Sequence, residues 1–143
     1  PIAIRSNQHY KVQATVTGST NANAQALQRT DIGFGLNNFH AMGTNSRVCV
    51  NPHIIYSPFS NDPSSNVTIN PSGRATYPST LNDAVAGTTI LSGPRLSNGG
   101  GSRATNDGYI FDAIFAITPQ FYASGTTSAT ITFTISAGFN VSC

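Results

Sequence analysis

The chain has 143 residues, of which 8% are charged and 38% hydrophobic, with a formal net charge of +2; this is the size of one domain with a real core. It contains no Glu and Lys11 is its only lysine, which argues against a helical protein, because Glu and Lys fill the exposed faces of ordinary helices. Positive charge rests on isolated arginines (Arg5, Arg29, Arg47, Arg74, Arg95, Arg103) with no basic run, which argues against a nucleic-acid or anionic-membrane footprint. No apolar stretch reaches transmembrane length and no signal peptide is present, so the chain reads as a mature secreted product.

Period-two alternation dominates from the start. Over His9–Thr17, Tyr10, Val12, Ala14 and Val16 share one face, which predicts a half-buried strand. Asn21–Arg29 is the one stretch suited to a short helix, with Asn21 or Asn23 as N-cap. Asp31–Phe39 puts Ile32, Phe34 and Leu36 on one face; Gly33 and Gly35 on the other predict a bend, a bulge or close backbone approach. Arg47–Val50 and His53–Phe59 read as two strands divided by the Asn51-Pro52 turn. Val67–Asn70 and Arg74–Tyr77 flank Pro71-Ser72-Gly73 as a hairpin, and Thr88–Leu91 is a further short strand.

Ser97–Asn106, with its glycine run, reads as a loop ending in the Asn106-Asp107-Gly108 turn. Tyr109–Thr118 is nearly all apolar and predicts a central strand, with Tyr109, Phe111, Ala113, Phe115 and Ile117 on one face. Ser128–Ser136 alternates throughout, with Ala129, Ile131, Phe133 and Ile135 facing inward and a threonine row facing out. About eight short strands between Gly, Pro and Asn turns predict one all-β domain over residues 1–143, a two-layer antiparallel β-sandwich.

Catalytic and cofactor chemistry finds little footing. His9, His40 and His53 lack the i, i+2 or i, i+4 spacing of a metal pair, and no GxSxG elbow or P-loop occurs. Asp31, Asp62, Asp83 and Asp107 stand at strand ends or in turns, where Asp caps backbone N–H groups. Asp112 stands apart among apolar neighbours, and a structural hydrogen bond or a solvent-facing pleat position is expected for it. The reading is therefore a protein that is not an enzyme, with no cofactor and no metal. Cys49 and Cys143 are expected to form one disulfide, following the pairing habit of secreted domains. Closing so long a loop contributes about 4–5 kcal/mol on the chain-entropy account. Asn66-Val67-Thr68 and Asn140-Val141-Ser142 match the glycosylation sequon. The polar loop residues Asn61, Asp62, Asn98, Arg103, Asn106 and Asp107 are the candidate ligand-binding set, of the kind that holds a sugar.

The block Ala123–Ser136 (ASGTTSATITFTIS), preceded by Tyr109-Ile110-Phe111-Asp112, resembles the closing strands of bacterial fimbrial (pilin) subunits and fimbrial adhesin domains. The resemblance implies an incomplete, immunoglobulin-like sandwich at the cell surface that assembles with other subunits by β-strand addition at an exposed edge. Two features depart from the pattern. Cys143 lies at the end of the chain rather than in its first half, and Pro1–Ser6 offers only Ile2 and Ile4 as an alternating pair. They point to a tip, an adhesin or a complete sandwich rather than a shaft subunit. The expectation is an extracellular structural or adhesive subunit, without nucleic-acid or membrane-inserted partners. A carbohydrate-binding domain and a viral or phage capsid or fibre domain are the alternatives.

Overall fold

The computed structural model describes residues 1–18, 25–42, 52–96, 108–118, 122 and 127–141. The strands are β1 (Ile2–Ile4), β2 (Tyr10–Gly18), β3 (Gly33–Ala41), β4 (Ile54–Ile55), β5 (Thr68–Ile69), β6 (Ala75–Thr76), β7 (Thr88–Gly93), β8 (Tyr109–Ala116) and β9 (Ala129–Ala137). One sheet has the order β1-β8-β3 and a second the order β4-β7-β2-β9, while β5 and β6 form a separate hairpin. All strand pairings are antiparallel. The protein is all-β, and its two larger sheets share one core, as in a sandwich.

That core follows from the alternation. Tyr10, Val12, Ala14 and Val16 of β2 are buried, and so are Phe34 and Leu36 of β3 and Tyr109 and Phe111 of β8. β7 departs from strict alternation, since Ile90 and Leu91 are both fully buried. Its register against β2 shifts between Val12 and Gln13. Such a bulge lets two successive side chains turn inward.

Gly33 and Gly35 make the close approach that their positions predict. A Cβ on Gly35 would lie 2.1 Å from the Asn61 carbonyl oxygen, and one on Gly33 would meet Pro63 and Tyr77 within 3 Å. The segment crossing β3 is hydrogen-bonded to it, because Leu36 N–H donates to Phe59 O (2.8 Å) and Phe34 N–H to Ser79 O (3.0 Å). The Phe34–Leu36 stretch of the outer edge of β3 is thus covered.

Two polar clusters, anchored on buried Asp31 and buried Tyr10, fasten the sheets to their connections. Asp31 is 1% exposed and accepts from Arg74 Nε (2.8 Å), Arg74 Nη2 (2.6 Å) and the Gln28 N–H (2.8 Å). The fork ties the β5–β6 hairpin to the short 3-10 turn Arg29–Asp31. In the second cluster, the His53 ring stacks on Tyr109 at 3.7 Å and lies 2.6 Å from the Tyr10 hydroxyl through Nε2. Tyr10 and Tyr109 belong to different sheets, so His53 bridges the two layers. Gly93 leaves room for it, since a Cβ there would come within 2.5 Å of the imidazole.

Several expectations need correction. The short helix expected at Asn21–Arg29 is not formed in its described part: Gln25–Gln28 is irregular and only Arg29–Asp31 coils, as a 3-10 turn. The Asp31 carboxylate takes the Gln28 N–H, which starts that turn rather than an α-helix. The strand expected over His53–Phe59 shrinks to Ile54–Ile55, because the Phe59 N–H folds back onto Tyr56 O and Pro58 has no N–H to give a ladder. A second 3-10 turn, Leu81–Ala84, is capped by Thr80 and Asp83 and has no counterpart in the sequence reading. The Pro71-Ser72-Gly73 hairpin forms as expected: Asn70 Oδ1 accepts from the Ser72 and Arg74 N–H groups, and Gly73 takes φ 83°. The strand expected at Arg47–Val50, the Ser97–Asn106 loop and the Cys49–Cys143 pairing lie outside the described residues.

Two measurements test this packing. Gly35→Ala should cost about 3 kcal/mol in denaturant unfolding, near the upper end for overpacking, since backbone rather than a mobile side chain blocks the new methyl. Burial pushes the Tyr10 and Tyr109 hydroxyls well above the ordinary value near 10, with the neighbouring Tyr109 adding to the effect on Tyr10. The unfolded chain then ionises these tyrosines first. Their contribution to stability is complete below about pH 10 and is lost as pH rises above it. Spectrophotometric titration should show both ionising only together with alkaline unfolding, and Tyr10→Phe should move that unfolding to higher pH.

Candidate functional site

The site of interest is a seam between the two sheets, and it arises from a mismatch of strand lengths. β1 has three residues and pairs only with Tyr109–Phe111 of β8. Beyond that point no described strand pairs with this side of β8. The inward row of β8 continues regardless. Tyr109 and Phe111 are 1% and 0% exposed, whereas Phe115 and, just past the strand, Ile117 are 49% and 55% exposed. They have the same facing and the same chemistry but lack cover.

β9 forms the other wall. It pairs with β2 along all its length, from Tyr10↔Ala137 to Gly18↔Ala129. Its outer edge has no strand partner among the described residues. Ile131 and Phe133 are half-buried against the core and Ile135 is 49% exposed, so the row expected to face inward is only partly covered. Phe34 is the floor of the seam: its ring stacks on Phe115 at 5.5 Å and lies 6.4 Å from Phe133. Where β1 faces β9, a hollow of about 290 Å³ is lined by Ile2, Ile4, Val12, Phe133 and Ile135, with Arg5 at its end.

Among the described residues, nothing defends the β9 edge either. Edge strands in soluble proteins are usually short, or carry Lys, Pro, bulges or inward charges that deter pairing. β4 is two residues long, and β3 is covered over Phe34–Leu36 by Phe59 and Ser79. β9 is nine residues of Ala, Thr, Ile, Phe and Ser, without a charge or a proline.

Comparison with protein-family models, with curated proteins and with solved structures returns no match. The geometry alone therefore carries the functional reading.

The candidate ligand residues fare differently. Asn61 and Asp62 are neighbours: Asn61 Nδ2 donates to Pro58 O and Ser79 Oγ while its buried Oδ1 has no hydrogen-bond partner among the described residues, and Asp62 accepts from the Ser64 N–H and from the Ser64 and Ser65 hydroxyls. The Ser64 hydroxyl leads in holding the Asp62 carboxyl below its ordinary value. Asn98, Arg103, Asn106 and Asp107 lie outside the described residues. Asp31, Asp62 and Asp83 each cap a backbone N–H. Asp112 accepts from Asn38 Nδ2 at 3.0 Å and is partly exposed. Among the described residues no three His, Cys, Asp or Glu side chains converge, and no helix is long and apolar enough to cross a membrane.

Alternation in the sequence marks the seam residues only as ordinary core. The signal that distinguishes them is the uncharged, proline-free length of β9. Phe115→Ser and Ile135→Ser should each shift the thermal midpoint by only a few degrees and lower the fluorescence of a bound hydrophobic dye. Phe111→Ala should cost about 3–5 kcal/mol in a denaturant titration, the usual penalty for emptying a sealed aromatic site.

Proposed function

We propose that this protein is an extracellular structural or adhesive subunit of the fimbrial type, built as an incomplete pilin-like sandwich that accepts a β-strand from a partner along β9. The observation that carries the reading is the nine-residue unguarded edge of β9 lying over an apolar row left half-covered. A strand laid there would satisfy backbone N–H and C=O groups on one side and place alternate apolar side chains against Ile131, Phe133, Ile135 and Phe115. Main-chain bonds would then supply affinity and the alternating pockets specificity. The low charge of the chain gives little self-repulsion and favours association.

For the sugar-binding reading, the described members of the candidate set, Asn61 and Asp62, already spend Asn61 Nδ2 and the Asp62 carboxylate on hydrogen bonds within the protein, and Asn98, Arg103, Asn106 and Asp107 lie outside the described residues.

The test is strand capture. Synthetic peptides of eight to ten residues with strict apolar alternation are titrated up to millimolar concentration and followed by NMR. Binding is expected to shift β9 and β8 amides. Ile135→Lys, at a half-exposed position, should weaken capture about tenfold or more while leaving the fold intact. A protein that stays monomeric and captures no alternating peptide would sink the proposal.

A further inference from the structure

The sequence of β9 reads nearly the same in both directions. From Ala129 to Ala137 it runs Ala, Thr, Ile, Thr, Phe, Thr, Ile, Ser, Ala, with Phe133 at the centre, and only Thr130 and Ser136 break the mirror. Alternation asks for an apolar residue at every second place. It does not ask for Ala at both ends and Ile on both flanks of a central Phe. Turned half a revolution about an axis through Phe133 normal to the sheet, such a strand presents the same chemistry at every pairing position to a second copy of itself. Antiparallel pairing in that register sets Phe133 against Phe133, Ile131 against Ile135, Thr132 against Thr134, Thr130 against Ser136 and Ala129 against Ala137. One face of the ladder then pairs apolar with apolar, the other pairs hydroxyl with hydroxyl, and no like charges meet.

The side of the sandwich that carries this edge matches itself in the same way. Tyr10 lies opposite Ala137 and is joined through His53 to Tyr109. The Tyr109 end of β8, with β1 paired on it, therefore sits beneath the C-terminal half of β9. The hollow shared by Ile2, Ile4, Phe133 and Ile135 marks that half. The N-terminal half of β9 lies over the end of β8 that β1 does not reach, where Phe115 and Ile117 are exposed. The half-turn brings the covered half of each copy beside the uncovered half of the other. Phe139, just past the C-terminal end of β9, is the most exposed large hydrophobic residue among those described, at 71%. It is carried to the end of the second copy where Phe115 and Ile117 are open. A strand of this length is about 31 Å long and a two-layer side about 20 Å deep, so mating the two sides buries about 1,200 Å² in all, the lower bound for a specific interface. The strand edge alone gives about half of that.

Resting on the strand-acceptor reading above, we infer that the partner fitting this edge is a second copy of the chain, joined β9 to β9 in a closed two-fold dimer. The contact is isologous, so it stops at two copies instead of growing into a fibre. It merges the two four-stranded sheets into one continuous sheet and sets the two apolar seams side by side. Each β9 is already held extended by β2 along its whole length, so little ordering is left to be done on association. A formal charge of +2 on each copy opposes the approach only weakly. The dimer and a captured strand use the same edge and exclude one another.

Sedimentation equilibrium from micromolar to millimolar concentration tests the assembly, and paired charges test its register. The weight-average mass should rise from 15.0 kDa to twice that value and stop there. Thr132 and Thr134 are exposed and meet across the axis. The double variant Thr132→Lys, Thr134→Lys sets like charges opposite each other twice and should weaken the dimer about tenfold or more. The double variant Thr132→Lys, Thr134→Asp changes the same two positions but sets opposite charges there. It should dimerise within about threefold of the parent at low salt and weaken as salt rises. An alternating apolar peptide should dissociate the dimer. Equal weakening in both variants, a mass that climbs past two copies, or a peptide that binds without dissociating the dimer would each overturn the inference. So would a parent chain that stays monomeric at millimolar concentration. If that monomer captures the peptide, strand acceptance stands without self-pairing; if it captures none, both readings fail.

Discussion

The ring of Phe34 is where the two sheets close on each other, and the rest of the architecture can be read from how well it is covered. It packs edge-on against Phe59, stacks on Phe115 and approaches Phe133. Phe34 itself is 0% exposed. On the Phe59 side the cover is complete, because the segment crossing β3 is bonded to it through backbone and seated on two glycines. On the other side the cover consists of two side chains that are themselves partly wet. A close-packed interior gains dispersion contacts only where atoms lie on both sides. Phe115 and Phe133 therefore contribute less to this domain than their sequence positions suggest.

That asymmetry leaves the two halves of the core held by different means. The sealed half contains the fork of Arg74 on buried Asp31, the His53 bridge between Tyr10 and Tyr109, and the bulge that turns both Ile90 and Leu91 inward. These features fix a single packing. The open half has none of them. Its rows are aliphatic and aromatic, its edge is regular, and its face outside the core is a line of threonines. Such a surface offers any extended chain the same backbone ladder and selects among chains by side-chain fit.

Much of the fold was legible in the sequence because alternation and turn chemistry are local. Tyr10–Gly18, Ala129–Ala137 and the Pro71-Ser72-Gly73 hairpin all appear within a residue or two of where period and glycine placement put them. The losses have a common cause. A helix at Asn21–Arg29 looked reasonable only because the partner of Asp31, Arg74, lies far along the chain. The truncation at Ile54–Ile55 depends on Phe59 folding back to pair with β3. The seam was hardest of all. Alternation says which way Ile135 and Phe115 point, and it is silent on whether another strand stands opposite. Strand count on a particular edge is a property of topology, set here by β1 stopping at Ile4.

An open edge has an energetic consequence for what can fill it. Full burial of a large apolar side chain contributes about 1.5–3 kcal/mol, so completing cover on four half-exposed residues contributes about half of that for each. Ordering an extended segment costs about 1–2 kcal/mol per residue in backbone entropy. For a segment of eight residues the second quantity exceeds the first, and the difference must come from ladder hydrogen bonds or from a strand whose freedom is already restricted. A free peptide meets that requirement poorly. A strand tethered to, or held extended by, a folded neighbour meets it well, because its entropy has been lost before it arrives. On the proposed reading, the seam would be a weak trap for loose chains and a strong joint between folded subunits, and this difference would keep an open β9 edge compatible with a protein that stays separate until its partner is presented.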